Sequence, residues 1–102
     1  NEIDALAGVE ESAVIGVPHP DFGEAVTAVV TSAPGAVLGE AQVLSALKNR
    51  LADYKLPKRV LFVDSLPRNA MGKVQKALLR DEYQALYRET ERERHEQRQK
   101  FQ

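Results

Sequence analysis

"SAVIGVPHPDFGEAVTAVVTSA", residues 12–33, decides the fold. Ser12 to Pro18 is a short run rich in β-branched residues that closes on a proline, and it reads as a buried strand. "HPDFGE" follows with turn chemistry, Pro20-Asp21 and then Gly23. Ala25 to Ala33 alternates well enough for a second strand, pairing with the first. Upstream, "EIDALAG" reads as the end of a helix, with Ile3, Leu6 and Ala7 on one face and Gly8 as the stop. Downstream, "PGAVLGE" is loop. From about Glu40, Leu44, Leu47 and Leu51 fall three and four apart with Val43 beside them, a core-facing helix. "KRVLFVD" is a third strand, bounded by Pro57 and by the Ser65–Pro67 turn. Gly72 marks a bend, and Val74 onward reads as helix with Leu78, Leu79, Tyr83, Leu86 and Tyr87 on its apolar side. The order helix, two strands, helix, strand, helix predicts an α+β domain, a small three-stranded sheet with flanking helices, over residues 1–87.

After Tyr87 the pattern changes. "RETERERHEQRQKFQ", residues 88–102, is charged on every face, with spaced pairs such as Glu89 with Arg92 and Glu96 with Lys100. It reads as a helical charged extension or tail. Its five bases are offset by four acids, which argues against a basic nucleic-acid arm.

The 102 residues suffice for one domain with a modest core. No apolar run is long enough to cross a bilayer, and "NEIDALAGVEES" has neither the basic start nor the apolar stretch of a signal peptide. The first residue is not methionine, which points to a fragment or a processed piece. A cytoplasmic location is the default. There is no cysteine, so disulfides and cysteine-based metal sites or nucleophiles are excluded. His19 and His95 lie far apart without ligand spacing, and no metal site is expected. The net charge of −1 conceals an asymmetry: residues 48–80 hold nine Lys or Arg against Asp53 and Asp64, a segment of +7, leaving −8 for the rest. Such a segment favours an anionic ligand or partner, although basic residues also decorate ordinary solvated faces.

Gly72-Lys73, in "LPRNAMGKVQK" (66–76), invites comparison with the phosphate-cradling P-loop. That loop needs glycine five residues before Gly72 and serine or threonine after Lys73. Pro67 and Val74 occupy those positions, so no P-loop exists. Ser12, Ser32, Ser45 and Ser65 have no histidine-plus-carboxylate signature around them, and His19-Pro20-Asp21 reads as a turn rather than an acid–base pair. Tyr54, Tyr83 and Tyr87 read as packing residues, with no aromatics interleaved among the bases as a single-strand binder requires. What remains is Lys73 on a loop between a strand and a helix. There it can carry a mobile point charge to a phosphate that an incoming anion must approach, or it is a plain surface lysine.

"VIGVPHPDFGEAVTAVV" followed by "LKNRLADYKLPKRVLFVDSLPRNAMGKVQKALLR" resembles the C-terminal domain of the adenylate-forming acyl-CoA synthetases, over roughly residues 1–87. The most specific element is Leu-Pro-x-x-x-x-Gly-Lys-Val, residues 66–74. Within that family the wording "PRNAMGKVQK" is most similar to malonyl-CoA or methylmalonyl-CoA synthetases. The resemblance implies a two-step ligase that uses ATP with Mg2+ and coenzyme A. A carboxylate attacks the α-phosphate of ATP to give acyl-adenylate and pyrophosphate. The C-terminal domain then swings, and the CoA thiol takes the acyl group and releases AMP.

The resemblance implies that Lys73 serves the first step, that Gly72 lets the loop approach the nucleotide closely, and that Lys48 and Arg50 are candidates for the CoA phosphates. It further implies that Lys73 is a target of a protein acetyltransferase and a deacetylase, acetylation removing the cation that adenylation needs. The chain is expected to begin just after the family's hinge and CoA-tunnel hairpin. The N-terminal domain, with its phosphate loop, nucleotide pocket and acyl-binding residues, is expected to lie outside it, and the fragment alone to be inactive. The alternatives are an adenylation domain for acetate, a fatty or aryl acid or an amino acid, and an interaction module that serves as an acetylation substrate. A nucleic-acid binder is a distant third, and no membrane partner is expected.

Overall fold

Alternation along the first two strands builds the sheet. In the computed structural model, which describes residues 2–52 and 55–88, β1 spans Val9–His19 and β2 spans Gly23–Ser32. They pair antiparallel from Ser12 opposite Val30 to His19 opposite Gly23. Ala13, Ile15 and Val17 point to one face, as do Ala25 and Val29 across from them, while Ala28 and Val30 point to the other. A strand filled on both faces belongs in the middle, and β2 is central in the order β1-β2-β3. The hairpin closes through Pro20-Asp21-Phe22 into Gly23, whose φ of +75° a side chain would resist.

The third strand, β3 (Arg59–Phe62), runs parallel to β2, with Thr27 opposite Arg59 and Val30 opposite Phe62. Parallel neighbours need a crossover, and helix α1 (Glu40–Leu47) supplies it. Val43 and Leu47, one turn apart, are its buried residues. They join Ile3, Leu6, Ala28, Val30 and Val60 in a core on that face, with Leu44 and Leu51 only partly buried at its margin. Glu40 fastens the start of α1 to β3: its carboxylate accepts from the Val60 amide at 2.7 Å and from Arg59 Nε at 2.8 Å. Burial alone would push that carboxyl up, but the Val60 hydrogen bond and Arg59, by hydrogen bonding and by charge, prevail and hold it below its ordinary value.

Helix α2 (Lys76–Glu82) covers the opposite face, where Leu79, Leu66 and Tyr87 pack on Ala13, Ile15, Val17, Ala25 and Val29. Thr27 is fully buried there and donates to the Ala25 carbonyl at 3.1 Å, leaving the Tyr87 hydroxyl, 2.7 Å away, to donate to it. Burial raises the Tyr87 phenol, and the Thr27 bond and the Arg59 charge offset only part of that. His19 is also buried, between the rings of Phe22 and Tyr87 at 4.4 and 5.0 Å, with its Nδ1 accepting the Asp21 amide at 3.0 Å. Turn closure and packing, not acid–base chemistry, account for His19-Pro20-Asp21.

The α+β architecture with a three-stranded sheet is as expected. Three local expectations change. Residues 2–8 form successive turns rather than a helix end, the Leu6 amide bonding to the Ile3 carbonyl at 3.0 Å; Ile3 and Leu6 are still buried, but Ala7 is exposed. The last helix starts at Lys76, because Val74 bridges to Arg68 and the Gln75 amide is held by the Pro67 carbonyl at 2.8 Å. Leu78 is half exposed, since Leu79 alone of that pair meets the sheet. Asp53, Tyr54 and the charged segment from Glu89 onward, with His95, lie outside the described residues. Among the described residues no helix is long and apolar enough to cross a membrane.

Candidate functional site: the loop that carries Lys73

Leu66, buried against the α2 face, pins the start of the loop to the core. From there the chain doubles back. Arg68 and Val74 form an isolated antiparallel bridge, and the Gly72 amide donates to the Asn69 carbonyl at 3.0 Å, closing a four-residue turn. Asn69 organises the turn from inside. Its Oδ1 accepts the amides of Met71 at 2.9 Å and Lys73 at 3.0 Å, and its own amide donates to the Lys73 carbonyl at 3.0 Å. Gly72 has φ +82°, and a Cβ built there meets nothing within 4 Å, so glycine is required by backbone conformation rather than by crowding.

Both backbone groups of Lys73 are therefore tied, while its side chain is exposed. Among the described residues the ammonium has no hydrogen bond or ion pair. Met71 beside it is 85% exposed, leaving the tip of the turn free to meet another surface. A fixed backbone with a free, four-carbon cationic stem can deliver a charge to an anion held elsewhere. The amides of Met71, Gly72 and Lys73 are all spent on Asn69 inside the turn, so they are not offered to a phosphate.

Lys48 and Arg50 lie elsewhere. Lys48 caps the end of α1, on the opposite sheet face from Leu66 and α2, and borders a shallow apolar groove with Leu44, Leu56 and Pro57. Arg50 is 3.8 Å from the Glu2 carboxylate, which partly answers its charge. The fold thus does not bring the two candidates for CoA phosphates together with Lys73. No three His, Cys, Asp or Glu among the described residues converge on a point that could hold a metal ion.

Two residues that hold the loop were not recognised from sequence. Asn69 was recognisable: an asparagine three residues before a glycine is a turn signal. Glu11 was not. Its carboxylate pairs with Arg68 Nη2 across 57 residues, and nothing in the spacing announces that contact.

A family described as the AMP-binding enzyme C-terminal domain matches residues 2–73. Over 82 residues the chain is 52% identical to the 3-[(3aS,4S,7aS)-7a-methyl-1,5-dioxo-octahydro-1H-inden-4-yl]propanoyl:CoA ligase of Rhodococcus jostii (strain RHA1), covering 80% of this chain and 16% of that protein. It is 43% identical over 83 residues to the long-chain-fatty-acid–CoA ligase FadD13 of Mycobacterium tuberculosis (strain ATCC 25618 / H37Rv), covering 81% and 16%. Among solved structures, ATP-bound MatB from Rhodopseudomonas palustris superposes with a TM-score of 0.82 at 63% identity, covering 84% of this chain and 17% of that one. The chain spans about a sixth of the length of these relatives.

Proposed function

The chain belongs to the AMP-binding enzyme C-terminal domain family, and from that premise we propose that it is the mobile lysine-bearing domain of an ATP-dependent acyl-CoA ligase. The observation that carries this reading is the Asn69–Lys73 turn, with a braced backbone and a cation that has no partner among the described residues. In the first step a carboxylate oxygen bonds to the α-phosphorus of ATP, and the bond to the β-phosphate oxygen breaks, releasing pyrophosphate. Two anions meet in that transition state, and the Lys73 ammonium offsets their repulsion. In the second step the CoA sulfur bonds to the acyl carbon, the thiol loses its proton, and AMP departs with the electrons of the cleaved carbon–oxygen bond. ATP and the acid are held by the N-terminal domain of the same ligase, which the span of the relatives supports, and none of the described residues is assigned to magnesium. We take residues 1–87 as the domain, since Tyr87 is packed into its core, and 88–102 as an appended segment. We also propose a cytoplasmic location, where both ATP and CoA are available.

Malonate is the acid we assign, on the loop wording and on the 63% identity to MatB, a malonyl-CoA synthetase. Relatives named for ring-bearing propanoates and for long-chain fatty acids carry the same domain. Acid selection therefore resides outside it, and acetate, fatty, aryl or amino acids are the competing substrates. In the full-length ligase, Lys73→Ala lowers adenylation, read as pyrophosphate release with malonate, by at least about a hundredfold. Thioester formation from supplied malonyl-adenylate stays within twofold. Equal loss of both steps sinks the role, and release with acetate matching that with malonate sinks the substrate.

The exposed Lys73 is also our candidate for reversible acetylation by a protein acetyltransferase and a deacetylase. Acetylation turns the cation into an amide and removes the charge. Mass spectrometry after incubation with acetyl-CoA and such an acetyltransferase is expected to find Lys73 modified ahead of Lys48, Lys55, Lys58 and Lys76. Even modification across those lysines would count against it.

A further inference from the structure

Strand β1 carries one irregularity. Val9 lies opposite Ser32 and Glu11 opposite Thr31, so Glu10 is an extra residue, a β-bulge. Because side chains alternate faces along a strand, one inserted residue reverses the parity on its far side. Val9 accordingly packs with the α1-side core, while Glu11 shares the face of Ala13 and Ile15, toward α2 and Leu66. The bulge is held in place by the Glu11 amide, which donates to Thr31 Oγ1 at 3.0 Å. It delivers a carboxylate to the edge of the Lys73 loop.

Arg68 meets it there. One arm of the guanidinium, Nη2, pairs with Glu11 Oε1; the other, Nη1, donates to the Gly72 carbonyl at 2.5 Å. That carbonyl belongs to the peptide bond joining Gly72 to Lys73. The planar fork of arginine can serve both acceptors at once, which the single ammonium of lysine does poorly. The Glu11 and Arg68 side chains are 41% and 40% exposed, and an ion pair so open to water adds little to global stability. What it fixes is the orientation of a turn that is otherwise anchored to the core through Leu66 and, less deeply, Val74, with the Gln75 amide tied back to the Pro67 carbonyl.

We infer that Glu11 and Arg68 are positioning residues for Lys73, a two-residue brace by which strand β1 aims the lysine at the nucleotide. The inference rests on the adenylation role proposed for Lys73. In the full-length ligase, Arg68→Ala is expected to lower the adenylation kcat about tenfold and Glu11→Gln about threefold, the scale of a modest misplacement of a reacting group. KM for ATP and the thioester step from supplied acyl-adenylate stay within twofold. The double variant is expected to be no worse than Arg68→Ala, because both act through one brace, and Arg68→Lys to recover only part of the loss.

An additive double variant, an unaffected Glu11→Gln, a raised KM for ATP at unchanged kcat, or equal loss of both half-reactions each overturns the brace. Lys73→Ala in the same assay separates the two ideas. If it leaves adenylation intact, the lysine role itself has failed; if it abolishes adenylation while the brace variants do nothing, only the brace has.

Discussion

Glu40 and Glu11 each reach an arginine on a distant segment, Arg59 across 19 residues and Arg68 across 57. At the α1 end of the molecule, Glu40 accepts from a strand amide as well as from the guanidinium, next to a core that includes the fully buried Leu47. At the loop end the second bond is made by the arginine instead, to the carbonyl preceding Lys73, in a setting open to water. The same pair of residue types therefore does different work. One secures secondary structure against secondary structure; the other orients a turn whose tip has to stay free. Under the proposed role of Lys73, stability is concentrated at the first site and chemistry at the second.

The sharpest way to test that division is through the core on the α1 side. Leu47→Ala is expected to cost about 2–4 kcal/mol of unfolding free energy, measured by denaturant titration, while folded enzyme keeps its adenylation kcat. A large loss of kcat in fully folded protein would show that the two ends are not separable.

Glu40→Ala comes next, at about 1–2 kcal/mol, because it strands the Val60 amide and the Arg59 guanidinium together. Its pH signature follows from the lowered carboxyl. The folded group binds its proton less readily than the unfolded one. The bridge's contribution is therefore fully present above the unfolded glutamate value and is lost as pH falls through the lower folded value. Native stability should decline over that acid window more steeply than that of Glu40→Gln, and parallel curves would remove the bridge from the account. The smallest effect on stability is expected at the loop: Arg68→Ala shifts unfolding by less than about 1 kcal/mol while slowing adenylation. If Arg68→Ala destabilised the protein as much as Glu40→Ala, the contrast between the two pairs would collapse.

Much of this was legible in the chain. The β-branched run at Ser12–Pro18, the alternation at Ala25–Ala33 and the turn at Pro20–Gly23 are local patterns, and each produced the element it predicted. The Leu44, Leu47 and Leu51 spacing produced a helix that ends at Leu47 and buries Val43 with Leu47. Lys73 stood out by its place in Leu-Pro-x-x-x-x-Gly-Lys-Val, and Asn69 was there to be read as a turn former. Leu78 and Leu79 show where pattern reading falls short: adjacent leucines on a helix are equivalent in composition, and only the sheet beneath α2 decides which is buried.

By itself, then, the sequence determined the three-stranded α+β fold and the family and singled out Lys73 as the candidate, because periodicity, turn chemistry and a short motif are all written within a few neighbouring residues. Only the tertiary structure decided what holds that lysine and what it is kept apart from. A one-residue bulge at Glu10 reverses strand parity and turns Glu11 toward Arg68, and opposite sheet faces separate Lys48 and Arg50 from the loop. Such contacts depend on how residues far apart in the chain are folded onto one another, and local spacing does not encode them.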